Sequence, residues 1–331
     1  MTYRVLLDVD TGVDDALAIL FAVAHPQIEL VGITCVAGNT SLENVVANTL
    51  KVLDTAGAPP VPVAAGARRP LIEPVRSSHV HGADGLGDTG LPASDRPVDP
   101  RHAVDFTRDI LLASDEPVTI VALAPQTNLA LLLRQCPEVA PKIERILFMG
   151  GSASGGNATP VAEFNVWHDP EAAAIVLDSG VPAFMYGLDV FNQVSIEESD
   201  AAALLAGSSA SGRLAGALLQ HQMADEAEHP GEEPDPQAYG GHIGDAGALC
   251  ALVDPGALRI EHRPVRVDLA GFGRGQTIVD RRGRIGEDTV HGSGAGGATG
   301  GIAAAVPIDV ALDVDAPRYA RLFLDTIAVL P

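Results

Sequence analysis

Apolar runs alternate with segments of helical periodicity along the first part of the chain. Residues 3–9, YRVLLDV, form a short apolar run, and residues 11–25, TGVDDALAILFAVAH, carry Ala and Leu at helical spacing after a Thr/Asp start. The order recurs in IELVGITCV then LENVVANTLKVLDTAG, in PVTIVAL then TNLALLLRQC, and in RILFMGG, DPEAAAIVLDSG and PAFMYGL. Buried strands that alternate with helices predict an α/β fold with an open, mostly parallel sheet and helices on both faces.

The alternation of apolar runs with helical segments changes after about residue 195. An alanine-rich stretch predicts a helix from Glu197 to Ala227, and the acidic, proline-containing segment EHPGEEPDPQAYGGH predicts a mobile flap around residues 225–242. A helix follows at DAGALCALV, strands at RPVRVDLAG and GQTIVDRRG, and a last strand and helix at PIDVALDV and RYARLFLDTIAVL. Because no linker divides the chain, we expect one domain over residues 1–331 with a mixed C-terminal portion.

Charge and composition narrow the class of partner. The chain of 331 residues has 43 acidic and 21 basic residues, for a net charge of -22, which disfavours nucleic acid and anionic membrane surfaces. The N-terminus lacks the features of a signal peptide, and no stretch of eighteen uncharged apolar residues occurs, so we expect a cytoplasmic protein. Cys35, Cys136 and Cys250 lie far apart and predict neither a disulfide framework nor a zinc site.

The segment DVDTGVDD at residues 8–15 places four carboxylates, from Asp8, Asp10, Asp14 and Asp15, at the end of the first predicted strand. Ligands of parallel sheets collect at the carboxyl ends of the strands, and Gly12 permits a tight turn there. Like charges so close repel unless a cation lies among them, and oxygen ligands suit Ca²⁺ first and Mg²⁺ second. The alternative is that Asp10 caps the turn while the next two acids favour the helix dipole.

These residues begin a resemblance that covers most of the chain. DVDTGVDDALAIL is similar to the N-terminal signature of the nucleoside hydrolases, the inosine-uridine-preferring family. Further blocks follow in family order, namely VAGNT, HGADGLG, APQTNLA, MGGSASGGN, AEFNVWHDPEAA and GDAGALCALVDP, with RGQTIVD as a weaker addition. The resemblance implies a nucleoside hydrolase-like fold with a Rossmann-like core, a role in purine or pyrimidine salvage, and a homodimer or homotetramer.

The resemblance also implies a reaction and a metal site. A calcium ion would be held by Asp10, Asp15, the main-chain carbonyl of Thr127 and Asp245. It would grip the ribose hydroxyls and activate a water that cleaves the N-glycosidic bond of a ribonucleoside through an oxocarbenium-like transition state, giving ribose and a free base. Asp10 would be the general base. For Thr127 and Asp245, a helix-capping role is the alternative.

Further side chains would hold the nucleoside substrate. By resemblance, the side chains of Asp14, Asn39 and Asn165 would accept hydrogen bonds from the ribose hydroxyls. Glu163 and Asn157 would bind the 5′ side or the ring, and Met149 would lie under the sugar. Asn39 could otherwise be an ordinary turn residue.

The leaving-group acid is the point where this chain departs from the family. Many members have histidine immediately before the C-terminal aspartate, whereas this chain has Gly244. His242, His81 and, with less support, His229 are the candidates for protonating the base. The base-stacking tryptophans of purine-specific relatives have no equivalent, because the one tryptophan, Trp167, is expected in the core; Tyr239 offers a weaker face.

Two other functions remain compatible with the sequence. Loss of the family histidine fits a calcium-dependent riboside-binding protein without turnover. The D-x-D segment after the first strand also resembles haloacid-dehalogenase-like phosphatases, which need a lysine beside the phosphate. Neither of the two lysines, Lys51 and Lys142, has a setting that suggests that role.

Overall fold

The computed structural model describes residues 2–78, 80–227, 241–282 and 306–331. The strands in these residues are β1 (Tyr3–Val9), β2 (Ile28–Cys35), β3 (Val63–Ala65), β4 (Val118–Ala122), β5 (Ile143–Met149), β6 (Ala183–Tyr186), β7 (Leu258–Val267), β8 (Thr277–Val279) and β9 (Pro307–Val314). They form one sheet in the order β3-β2-β1-β4-β5-β6-β9-β7-β8.

The helices lie between and after these strands. They are α1 (Val13–Ala24), α2 (Leu42–Thr55), α3 (Ala103–Ala113), α4 (Thr127–Gln135), α5 (Phe164–His168), α6 (Pro170–Leu177), α7 (Leu188–Phe191), α8 (Glu198–Ala206), α9 (Ala210–Ala227), α10 (Ala246–Val253) and α11 (Ala316–Ile327). Short 3-10 turns occupy Pro137–Lys142, Pro255–Ala257 and Gly271–Gly273.

The expected fold class is confirmed. Every pairing from β3 across to β9 is parallel. Strand β7 pairs antiparallel with both β9 and β8, which gives the mixed C-terminal portion that the sequence predicts. The parallel part lies under helices on both faces, as its continuous apolar runs require.

Alternation along β1 shows how the core is divided. Val5, Leu7 and Val9 face an apolar cluster built with α1, α2, α9, α10 and α11, whereas Leu6 faces a second cluster built with α3, α4 and α6. Successive side chains of a strand point to opposite faces of the sheet, so a strand that is apolar at every position is buried on both sides.

The order of the strands locates the functional end of the sheet. Strand β1 pairs with β2 on one side and with β4 on the other, so the chain builds outward in two directions from this strand. The carboxyl ends of β1 and β4 therefore flank a topological switch point, where α/β proteins form their ligand sites. The segment after β1 is the aspartate-rich one.

The structure corrects the sequence prediction at several elements. The single helix expected from Glu197 to Ala227 is two helices, α8 and α9, interrupted between Gly207 and Ser209. Strand β3 and helix α3 were not predicted. The flap falls largely on residues 228–240, which are outside the described residues, as are His229 and Tyr239. None of the described helices is both long and apolar enough to cross a bilayer.

Candidate active site

The loop after β1 is held by its own backbone amides. The Asp15 carboxylate accepts the N–H of Asp10 at 3.2 Å and the N–H of Gly12 at 2.9 Å, so this acid closes the turn and caps α1. The Asp10 carboxylate accepts the N–H of Asn39 at 2.7 Å. A Cβ at Gly38 would lie 2.0 Å from Asp10 Oδ2, so only glycine permits this approach of the β2–α2 loop.

Three acidic side chains from distant parts of the sequence meet beside this loop. Carboxylate oxygens of Asp14, Asp15 and Asp245 all lie within 4.8 Å of one another. Asp245 occupies the N-cap position of α10 but makes no capping hydrogen bond with its side chain. Its Oδ1 and the Oδ1 of Asp10 are buried and have no hydrogen-bond partner in the part of the chain that the structure describes. Capping therefore does not account for Asp245.

The electrostatics of two members of the cluster, Asp15 and Asp245, and of the neighbouring Asp10 favour a positive partner. Burial raises the pKa of Asp10, Asp15 and Asp245 above the ordinary carboxyl value, and repulsion from the neighbouring aspartates raises the pKa of each further. A bound cation would reverse both effects by favouring the ionised form. Because the donor atoms are carboxylate oxygens, the residues fit a hard divalent cation such as Ca²⁺ or Mg²⁺.

A cavity of about 150 Å³ opens against this cluster. It is lined by Asp14, Asn39, Ser78, Val80, His81, Leu123, Met149, Asn157, Ala158, Phe164, Asn165, Phe191 and Asp245. Seven of the side chains named from the sequence are in this set. Neither lysine nor arginine is among the described lining residues, so the cavity offers no side-chain cation to an anionic substrate.

The remaining predicted residues lie outside the lining. Asp10 and Asp15 form the layer beneath Asn39, whose Nδ2 donates to Asp15 at 3.3 Å. The Glu163 carboxylate caps α5 and accepts the N–H groups of Asn165, Val166 and Gly151 at 2.8, 3.1 and 2.9 Å. Burial raises the pKa of Glu163 to about 7, although these three amide donors act in the opposite direction.

Asn165 and Met149 share one wall of the cavity. The Asn165 Nδ2 donates to the carbonyl of Leu123 at 2.9 Å and to the carbonyl of Met149 at 3.2 Å, and it lies 3.4 Å from the Met149 sulfur. Because the amide nitrogen is engaged by the backbone, the side-chain oxygen is the group left for a ligand. Asn157 is fixed from the other side, since its Oδ1 accepts the N–H of Phe164 at 2.9 Å.

His81 reaches the cavity with a defined hydrogen-bond role. Its Nδ1 accepts the N–H of Val13 at 3.1 Å and lies 3.9 Å from the Asp14 carboxylate. A ring nitrogen that accepts carries no proton, so the Nε2 of the neutral ring carries it. Burial lowers the pKa of His81, while the Asp14 charge acts to raise it.

His242 is buried behind the cavity rather than in its lining. Its ring packs edge-on against Phe191 at 6.3 Å between centroids, and neither ring nitrogen has a hydrogen-bond partner among the described residues. Burial lowers the pKa of His242 to about 4. Gly244, two residues on, has φ +53°, and a Cβ there would lie 2.6 Å from the Cβ of Asp14.

Thr127 begins α4 and is buried. Its hydroxyl donates to the Asp169 carboxylate at 2.7 Å, so the side chain faces α6 rather than capping its own helix. Metal coordination by its carbonyl oxygen stays a prediction.

Sequence comparison now decides the family. The model of the inosine-uridine preferring nucleoside hydrolases matches residues 5–321. The chain belongs to this family. Its members are hydrolases that act on N-glycosyl compounds, and the match agrees with the fold and with the acidic cluster at the switch point.

Individual family members show the same likeness. RihB of Escherichia coli (strain SE11), a pyrimidine-specific ribonucleoside hydrolase, is 36% identical over 286 residues, which cover 86% of this chain and 89% of RihB. A purine-preferring ribonucleoside hydrolase from Gardnerella vaginalis has a TM-score of 0.84 and 30% identity, with 98% of both chains covered. The plant nucleoside hydrolase PpNRh1 has a TM-score of 0.87 and 29% identity, covering 99% of this chain and 100% of that one. These comparisons support ribonucleoside hydrolase activity.

Several residues that line the cavity of this family member were not predicted from the sequence. Ser78 and Val80 lie in a segment with no apolar period, and Phe164 and Phe191 begin or end helices of only five and four residues. The family block AEFN signals the first of these aromatics, and no pattern signals the second. Trp167, expected in the core, is half-buried, and the Arg76 guanidinium lies 3.8 Å from its ring centroid.

Proposed function

We propose that the protein catalyses calcium-dependent hydrolysis of the N-glycosidic bond of ribonucleosides, giving ribose and a free base. The observation that carries the proposal is the meeting of three buried carboxylates, of which Asp14 and Asp245 line a cavity whose remaining polar groups are amides, a hydroxyl and an imidazole. This combination suits a neutral polyhydroxylated ligand and a divalent cation, and it does not suit a phosphate.

Of the three carboxylates that meet, those of Asp15 and Asp245 would hold the cation, together with the unpartnered Oδ1 of Asp10 and the carbonyl of Thr127. When bound, Ca²⁺ would supply attachment for the ribose hydroxyls and a lowered pKa for the attacking water. Asp14 reaches both the carboxylate cluster and the cavity, so it would accept a hydrogen bond from a ribose hydroxyl. Calcium is proposed over magnesium because it accepts more protein oxygens in a flexible geometry, whereas Mg²⁺ keeps several of its waters.

Asp10 is the proposed general base. Its Oδ2 is held by the N–H of Asn39, and its Oδ1 has no hydrogen-bond partner among the described residues. One oxygen therefore fixes the orientation of the carboxylate while the other is available to take a proton from water.

The sugar would be gripped by groups that also favour the transition state. Cleavage of an N-glycosidic bond develops positive charge on the ribosyl ring, and nearby carboxylate and amide oxygens stabilise this charge. Asn39, Asn157 and Asn165 supply the amides, and the Met149 sulfur lies in the same wall. Glu163 would act at the 5′ side, from behind this wall.

His81 is the stronger of the two candidates for assisting the leaving base. It lines the cavity, whereas His242 lies behind Phe191. With Nδ1 engaged by Val13, its Nε2–H is the group that would hydrogen-bond a departing base.

The test is ribose release from inosine, uridine and cytidine after removal of bound metal with a chelator. We expect release to cease in chelator and to return on addition of Ca²⁺. Riboside binding without ribose release would favour a calcium-dependent binding protein instead. Phosphate release from a phosphomonoester would favour the phosphatase alternative, which needs a lysine beside the phosphate; the described lining contains neither lysine nor arginine.

The choice of substrates reflects the relatives, of which one is pyrimidine-specific and another purine-preferring. We further propose a cytoplasmic homodimer or homotetramer, as the resemblance implies. Light scattering at two protein concentrations would test the assembly, and a monomer at both concentrations would contradict it.

A further inference from the structure

The first turn of α4 is fastened by two buried carboxylates from opposite sides. We propose that Asp8 and Asp169 are positioning residues that orient the Thr127–Asn128 peptide, so that its carbonyl serves as the main-chain ligand of the metal. This inference rests on the proposed function. Neither acid is part of the cavity lining or of the carboxylate cluster.

Asp169 holds the Thr127 side of the peptide. Its Oδ2 accepts the Thr127 hydroxyl at 2.7 Å and the N–H of Leu71 at 2.9 Å, and its Oδ1 accepts the N–H of Ala172 at 3.1 Å. Asp169 is fully buried and Thr127 is 1% exposed, so no solvent competes for these bonds. Both oxygens of Asp169 face donors only.

Asp8 holds the Asn128 side. Its Oδ1 accepts the Asn128 Nδ2 at 2.8 Å and the Thr34 hydroxyl at 2.6 Å. Asn128 is fixed further, because its Nδ2 also donates to the carbonyl of Cys35 and its Oδ1 accepts the N–H of Ala67 at 2.9 Å. The Asp8 Oδ2 has no hydrogen-bond partner in the described part of the chain.

The two contacts act on one rigid unit. A peptide group is planar, so the direction of the Thr127 carbonyl is set by the residues at its two ends, Thr127 and Asn128. Each of these residues is tied through its side chain to a different element, α6 or β1. Outer groups that orient metal ligands affect metal affinity by about 10- to 100-fold in proteins.

The two acids predict opposite responses to the same substitution. Asp169→Asn would place an NH₂ group against the backbone N–H of Leu71 or of Ala172, whichever way the amide lies, and would displace the side chain from Thr127. Asp8→Asn can keep its Oδ1 contacts and place its NH₂ where the unpartnered Oδ2 now lies. Asp8→Ala removes the contact altogether.

The experiment measures Ca²⁺ affinity by isothermal titration calorimetry on metal-stripped proteins, with melting in chelator as the check of folding. We expect Thr127→Val, Asp169→Asn and Asp8→Ala to weaken Ca²⁺ binding by about tenfold or more. Thr127→Ser, which keeps the hydroxyl, and Asp8→Asn should remain within about twofold of the wild type. Thr326→Val is the control for a buried threonine, placed in α11 outside the site.

Each result decides the inference. Equal affinity of Thr127→Val and Thr127→Ser would overturn it, as would equal losses in Asp8→Asn and Asp8→Ala, since charge rather than the hydrogen bond would then act. A loss in Thr326→Val as large as in Thr127→Val would also contradict it. Absence of Ca²⁺ binding by the wild type would instead refute the proposed function, so the two failures are distinguishable.

Discussion

One hydrogen bond sets the chemistry that His81 can perform. Its Nδ1 is engaged by the N–H of Val13, which leaves Nε2–H as the donor toward the cavity. Sequence reasoning weighed His81 and His242 equally, because both lie in glycine-rich segments. The structure separates them by position, since contacts between residues so distant in the chain leave no local pattern.

We expect His81→Ala to lower the turnover of uridine and inosine by more than about threefold, or about 0.7 kcal/mol, because the departing base loses a hydrogen-bond donor. His242→Ala should have the smaller effect. With p-nitrophenyl riboside, whose leaving group departs without a proton, the turnover of His81→Ala should be close to that of the wild type. An equal defect on both kinds of substrate would show that His81 does not assist the base.

At the scale of elements, Gly244 determines how closely α10 approaches α1. Its φ of +53° is in the left-handed region, which favours glycine. A Cβ at this position would lie 2.6 Å from the Cβ of Asp14, so there is no space for a side chain. The family's histidine at this position is therefore incompatible with the present packing of the two helix starts. The glycine that replaces the family's histidine is therefore required by the contact between the starts of α1 and α10.

Gly244→Ala should destabilise the protein through backbone strain of about 1–2 kcal/mol and through displacement of Asp14. Gly180→Ala is the matched control, because its φ is +80° and nothing lies within 4 Å of its Cβ position. Urea unfolding should show a larger loss for Gly244→Ala, and only this variant should weaken Ca²⁺ binding. Equal losses in both variants would show that the contact with Asp14 is unimportant.

The strands and helices also show how much of the fold can be predicted from the sequence. Strands β1, β2, β4, β5 and β6 were predicted, because buried parallel strands are continuous apolar runs with glycine or proline at their ends. Helices α1, α2, α4 and α6 were predicted as well, whereas the short helices α5 and α7 were not. Strand β3 has only three residues and is too short for a period. The break between α8 and α9 was missed because alanine favours helix on both sides of it.

Within the site, the first four aspartates followed from spacing alone. The link to Asp245 required the family resemblance, since nothing local connects it with residue 10. The contacts of Asp8 with Asn128 and of Asp169 with Thr127 were not predicted, because each joins elements that only the fold brings together.

At the scale of the whole molecule, buried histidines link stability to pH. His168 is fully buried, and neither ring nitrogen has a partner among the described residues. Burial, assisted by the charge of Arg76, lowers its pKa from 6.5 to about 4. Between these values the unfolded state binds more protons than the folded state, so the folded state loses stability as the pH falls.

We expect His168→Leu to reduce the loss of unfolding free energy between pH 7 and pH 5 by about 2 kcal/mol relative to the wild type. Urea denaturation at the two pH values measures this difference. An identical pH dependence of the His168 variant and the wild type would contradict the prediction. Burial also lowers the pKa of His242, so the variant should still lose some stability as the pH falls.

The acidic cluster brings together the start of α1 and the start of α10, which are far apart in the sequence. An ion lodged there would tie the two segments as a covalent crosslink does, but reversibly. Opening of the sheet at β1 would then require the ion to leave first. The site that binds the nucleoside would then also stabilise the fold, and molecules without the ion would be more susceptible to proteolysis.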